Sequence, residues 1–179
     1  VWRQNDMNAV YGIDDMYSEN DIKSEGKITD REVFNIAMHT SKNKSQPFFS
    51  MVLSISTHQP YREFIDSSFK ITDSTLPDSY KYYLNACHFA DKQIGMYIDY
   101  LKEEGLYNNS FIIIASDHDA HLSNLHMENR ISNRMPLFLL NVPDGIKEKM
   151  WHGECNQIDV YTTILDLLGI ESDWYGLGH

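Results

Sequence analysis

Asp117, His118, Asp119 and His121 lie just after an apolar run in FIIIASDHDAH, residues 111–121. A carboxylate and an imidazole side by side can turn toward one ion when they sit in a loop, because a loop need not alternate its side chains as a strand does. Asp117 and His118 are therefore a candidate metal-ligand pair. An oxygen plus a nitrogen donor suits Mn²⁺, Zn²⁺ or Fe²⁺, and suits Mg²⁺ or Ca²⁺ less well, since those prefer all-oxygen shells. The plainer alternative is a solvated turn whose Asp caps the next element. A second candidate is His58, which follows the apolar stretch PFFSMVLSIS at 47–56. An imidazole changes charge near neutral pH, so it can donate to or accept from a reacting oxygen. Its alternative is an exposed or hydrogen-bonded loop histidine. Asp119, His121 and His126 read as polar loop residues, and His39, His88 and His152 as ordinary surface or core histidines.

The elements that must position these residues alternate along the chain. Thr29 or Asp30 caps a short helix to about Thr40, with Val33, Ile36 and Ala37 facing inward. Aromatic and β-branched residues predict a strand at 47–56, introduced by Pro47. From Pro77 to Glu104 the period changes: Tyr83, Cys87, Ala90, Ile94, Tyr97 and Leu101 recur at steps of four and three, one face of a helix that Gly105 stops. FIIIAS (111–116) and PLFLLNV (136–142) predict two more strands. NQIDVYTTILDLLGI (156–170) predicts a last helix with Ile158, Tyr161, Leu165 and Leu168 on one stripe. Unbroken apolar strands are expected to be covered on both faces. Strands alternating with helices imply parallel pairing through right-handed crossovers. The expected fold is α/β, a three-layer sandwich around a mostly parallel central sheet. In such sheets ligands sit beyond the carboxyl ends of the strands. His58 is then expected on the same sheet edge as Asp117 and His118, within about 10 Å, the reach of one ion plus one tetrahedral oxyanion.

Composition excludes some functions. With 179 residues the chain can bury a real core, and 42% hydrophobic with 23% charged residues is ordinary for a globular protein. A net charge of −11 opposes binding to nucleic acid or to an anionic membrane surface, whose phosphates need Lys and Arg. No apolar run approaches the roughly 18 residues of a membrane-spanning helix, so no membrane contact is expected from this segment. The two cysteines, Cys87 and Cys155, are not at zinc-ligand spacing, and Cys87 is expected as a buried free thiol. No glycine-rich nucleotide fingerprint follows any strand.

PFFSMVLSISTHQPY, YLNACHFADKQIGMYIDYLKEEGLYNNSFIIIASDHD and NQIDVYTTILDLLGI, in that order, resemble the sulfatase-like family of the alkaline phosphatase superfamily. Within it they are most similar to lipoteichoic acid synthases and phosphoglycerol transferases. The resemblance runs over nearly the whole chain. It implies that residues 1–179 are the C-terminal portion of one catalytic domain, with the nucleophile and a further acidic ligand upstream. It implies Asp117 and His118 as metal ligands, the cofactor being a divalent metal (Mn, Mg, Ca or Zn). His58 matches the family histidine that contacts the sulfate or phosphate group, so it is implied as a catalytic and substrate-binding residue. Trp2 matches a substrate-binding position in the opening segment. The arginine expected beside it falls on Gln4, with Arg3 displaced by one, and a neutral Gln cannot give a bidentate charged grip. The usual glycine after Asp-His is Asp119 here.

The implied activity is a metal-dependent sulfuric or phosphoric ester hydrolase or transferase acting through a covalent intermediate, with the isolated chain inactive. The implied substrate is a sulfate or phosphate ester, on a glycan or a glycerophospholipid head group. The implied setting is extracytoplasmic, periplasmic or cell-surface, in a membrane-anchored parent. The alternative is a catalytically inactive relative that keeps the fold as a binding module.

Overall fold

Thr29 opens the first helix, α1 (Asp30–Ser41), as its sequence predicts. The Glu32 carboxylate reaches back to accept the Thr29 N–H at 2.7 Å, satisfying a donor that the helix itself cannot. The computed structural model describes residues 8–12, 28–42, 44–62, 66–118, 136–141, 156–171 and 173. The chain divides into two compact units, 1–104 and 105–179.

The first unit is built on α1 and a long helix, α2 (Asp78–Glu103). Pro77 precedes α2, and its carbonyl accepts from the N–H groups of Tyr80 and Lys81 at 3.0 and 3.1 Å. Gly105 ends it at φ +69°, a left-handed position that glycine occupies without a Cβ clash. The two helices run alongside each other in the same direction. Arg31 lies over the Phe89 ring at 6.0 Å, the Phe34 and Tyr97 rings are 5.7 Å apart, and Lys42 pairs with Glu104 at 3.6 Å. On α1, Phe34 and Ala37 are buried, whereas Val33 and Ile36 are only half-buried. On α2 the buried face is Asn85, Ala86, Phe89, Ala90, Gln93 and Leu101. It is rotated by about one residue from the apolar stripe, because two amides are buried there. Asn85 explains its own burial: its amide donates to the carbonyls of Asp66 and Phe69, both at 3.1 Å, and its oxygen accepts from the Asp66 N–H at 2.8 Å. Cys87 is a free thiol, half-buried rather than buried.

Residues 47–56 depart from expectation. They form no strand, and Phe49, Met51, Leu53 and Ile55 are exposed. A strand is a paired state, and its apolar pattern reports a preference for cover rather than the presence of a partner. Among the described residues no partner strand lies beside this segment.

The second unit holds β1 (Ile112–Ala115), β2 (Leu137–Leu140) and α3 (Asp159–Leu167). The β1–β2 pair is antiparallel, with Ile112 opposite Leu140 and Ala115 opposite Leu137. This one pair runs against the direction expected for most of the sheet. The direction in which one strand returns to pair with another depends on the connection between them, which the apolar pattern of the strands does not encode. Neither strand is covered on both faces: the isoleucines of β1 are half-buried, and Leu137 and Phe138 are exposed. In α3 the expected inward stripe is mostly outward, with Ile158, Tyr161 and Leu168 all exposed.

Candidate active site

β1 delivers its last residues into a turn that the rest of the second unit holds from both ends. At the entrance, the Asn141 side-chain amide donates to the carbonyls of Tyr107 and Ser110 at 2.6 and 2.7 Å. Asn141 itself sits at φ +57°, a conformation Asn tolerates better than most residues. At the exit, the Ser116 N–H extends the ladder to the Pro136 carbonyl at 3.2 Å. Gln157, just before α3, donates its side-chain amide to the Ser116 carbonyl at 2.8 Å and also to the Asp117 carbonyl. Ser116 in turn donates its hydroxyl to the His118 carbonyl at 2.8 Å. The backbone that presents Asp117 and His118 is therefore fastened to β2 and to the start of α3.

The pair itself points outward. The Asp117 side chain is 85% exposed and that of His118 is 55% exposed. One carboxylate oxygen, Oδ1, accepts the His118 N–H at 2.9 Å, and the other, Oδ2, lies 3.6 Å from His118 Nε2. Two ligand atoms each about 2.1 Å from one ion stand roughly 3–3.5 Å apart. Oδ2 and Nε2 thus fit a shared divalent ion with a small side-chain rotation, and their exposure leaves the remaining positions open to other donors. Among the described residues no group of three or more His, Cys, Asp or Glu side chains is placed to hold a metal. Asp119, His121 and His126 lie outside the described residues, as do Trp2, Arg3 and Gln4.

His58 belongs to the first unit, in the exposed turn after 47–56. Its N–H donates to the Ile55 carbonyl at 2.9 Å, and its own carbonyl accepts from the Tyr61 N–H at 3.2 Å. The ring nitrogen Nδ1 is 2.8 Å from the Gln59 carbonyl. A carbonyl only accepts, so Nδ1 carries the proton in that bond, and in the neutral ring Nε2 is the acceptor. Tyr61 anchors the far side of the turn. It is buried, meets Tyr83 edge-on with centroids 5.3 Å apart, and sits at φ +64°. A bulky residue in that region is strained and persists only where its surroundings over-determine it. Burial also pushes the Tyr61 hydroxyl pKa up.

Sequence reasoning singled out His58, Asp117 and His118 but assigned nothing to Gln157, Asn141 or Tyr61. Each of these acts through a bond to backbone distant in sequence or through burial. Only the proximity of Gln157 to the last helix start was visible in advance.

Three comparisons bear on what this arrangement is. The protein-family model described as Sulfatase matches residues 2–170. Lipoteichoic acid synthase 2 of Bacillus subtilis is 27% identical over 97% of this chain and 30% of its own length. Lipoteichoic acid synthase 1 of the same organism is 29% identical over 90% of this chain and 27% of its own length. Lipoteichoic acid synthase of Staphylococcus saprophyticus is 26% identical over 97% of this chain and 30% of its own length. The chain thus spans under a third of these relatives. Among solved structures, a protein in the alkaline phosphatase superfamily from Vibrio parahaemolyticus aligns at a TM-score of 0.61 and 22% identity, covering 89% of this chain and 38% of that one.

Proposed function

Because this chain belongs to the sulfatase family, we propose that its parent is a metal-dependent transferase or hydrolase of phosphoric or sulfuric esters. The reaction passes through a covalent intermediate on a nucleophile outside these residues. Similarity to lipoteichoic acid synthases favours phosphoglycerol-type transfer from a glycerophospholipid head group over sulfate ester hydrolysis on a glycan. The α/β fold, in this reading, is a three-layer sandwich completed by other parts of the protein. The setting is extracytoplasmic, with the parent anchored at the membrane. Among the described residues no helix is long and apolar enough to cross a membrane.

The observation that carries the reading is the outward Asp117–His118 pair in the turn after β1, held by Gln157. Those two side chains would hold the divalent ion, which supplies positive charge to the ester and to the attacking hydroxyl. His58 does the proton work. Its Nδ1–H stays on the Gln59 carbonyl. In the protonated ring, Nε2–H donates to an oxygen of the transferring group or to the leaving oxygen. Trp2 is assigned to binding the substrate head group by the family resemblance.

The test is turnover and bound metal, measured on the same purified full-length variants. The probes are bis(para-nitrophenyl) phosphate and para-nitrophenyl sulfate. Asp117→Ala should remove both metal and activity, and added Mn²⁺ should restore part of the activity. His58→Ala should lower turnover about 10²–10⁴-fold with metal content unchanged, the usual loss for a proton-transfer group. Equal metal loss in both variants would move His58 into the metal shell. Stoichiometric metal without turnover in the unmutated protein would make it a binding module.

A further inference from the structure

Asp30 is a fully buried carboxylate on the first residue of α1, and the reading of His58 gives it no part. Its Oδ1 accepts two backbone N–H groups, from Ile55 at 2.6 Å and from Ser56 at 3.0 Å. Its own N–H donates to the Ser56 hydroxyl at 3.2 Å, so helix start and turn grip each other in both directions. Ser56 is likewise fully buried. Ile55 and Ser56 are the first two residues of the turn that the His58 N–H closes on the Ile55 carbonyl at 2.9 Å. Ile55 and Ser56 are 25 and 26 residues from Asp30, so the contact is a tertiary constraint and not local capping. Asp30 Oδ2 is buried and has no partner among the described residues. A carboxylate at that place is favoured by the helix N-terminus and by charge-assisted bonds to amides.

We propose that Asp30 is the positioning residue for His58: its buried carboxylate sets the backbone of the 55–58 turn and, through it, the direction of the imidazole. The inference rests on the proposed role of His58. Among the described residues, no strand ladder holds the segment before the turn, 47–55. Without Asp30, the buried Ser56 N–H would be left unpaired and the half-exposed Ile55 N–H would lose its acceptor, and the turn would rearrange to reach water. Tyr61 fixes the other side of the turn, so Asp30 governs its approach and Tyr61 its exit.

A double-mutant cycle on the full-length protein tests this, with bis(para-nitrophenyl) phosphate and Mn²⁺ as probes and at a temperature where every variant is folded. Asp30→Ala should lower kcat at least tenfold with bound metal unchanged. Asp30→Asn, which keeps one oxygen able to accept both N–H groups, should recover most of that loss. In the His58→Ala background, Asp30→Ala should cost less than twofold, because a residue acting through His58 has nothing left to position. An equal loss in both backgrounds would make Asp30 a general stabiliser and overturn the proposal, as would full activity of Asp30→Ala. Unchanged turnover in His58→Ala alone would remove the role of His58, and the proposal with it. If Asp30→Ala does not fold, the same cycle run with Asp30→Ser, whose shorter side chain cannot reach both N–H groups but keeps a polar group at the helix start, decides through its non-additivity.

Discussion

Asp66 shows how one side chain can be tuned without being part of any site. Its carboxyl is held down at about 2. The Ser68 hydroxyl is the main cause and the Ser68 N–H, at 2.9 Å, the next; Lys92 adds a smaller effect from 3.4 Å. A carboxyl whose folded pKa lies below its unfolded value stabilises the fold above about 4, and that stability is lost as pH falls toward 2. Asp66→Asn should therefore lower Tm near neutral pH, and the gap to the unmutated protein should narrow between about pH 4 and pH 2. Thermal unfolding followed across that range checks it. A gap independent of pH would mean that the charge plays no part. At this same scale, Asp117 and His118 stand out in the sequence as candidates because their types and spacing are themselves the signal. Asp30, Asn85, Asn141 and Gln157 were not, because an Asp or amide bonded to distant backbone looks in sequence like any polar residue.

At the scale of elements, the helices were more legible than the strands. A helix satisfies its backbone within its own segment, so local periodicity and caps suffice to announce it. α1 and α2 begin and end within a residue or two of the expected places. What periodicity misjudged was which residues face the partner. Phe34, left out of the expected inward face of α1, is buried against Tyr97. Phe34→Ala should destabilise the first unit by about 3–5 kcal/mol, the range for removing a buried aromatic ring. Urea unfolding measures it, and a loss below about 1 kcal/mol would mean that the site collapses or that the ring is not packed. The strands needed more than pattern. Residues 47–56 carry strand-forming residues yet pair with nothing among the described residues. β1 and β2 do pair, in the direction that apolar runs cannot specify.

At the scale of the whole molecule, the charge balance is the broadest constraint. Lys and Arg number 15 against 26 Asp and Glu. The resulting field repels a polyanion, whereas a single ester head group feels mainly its near neighbours. The protein should leave the fluorescence anisotropy of a labelled DNA duplex unchanged at about 0.15 M salt. Saturable binding there would point to a basic surface that the sequence conceals. The family match extends across both compact units, so neither unit alone accounts for it.

The sequence by itself determined the helices, the α/β class, the family, and the residue types able to bind a metal or move a proton. These follow from local periodicity and from side-chain chemistry, both carried by neighbouring residues. Tertiary structure alone decided the antiparallel pairing of β1 with β2, the lack of a strand partner for 47–56 among the described residues, and the rotation of the α2 face toward Asn85 and Gln93. It also decided that Asp30 and Gln157 secure the turns bearing the candidate site residues. Hydrogen bonds between distant segments depend on which backbone groups the fold leaves unpaired, and that is settled only when the segments meet.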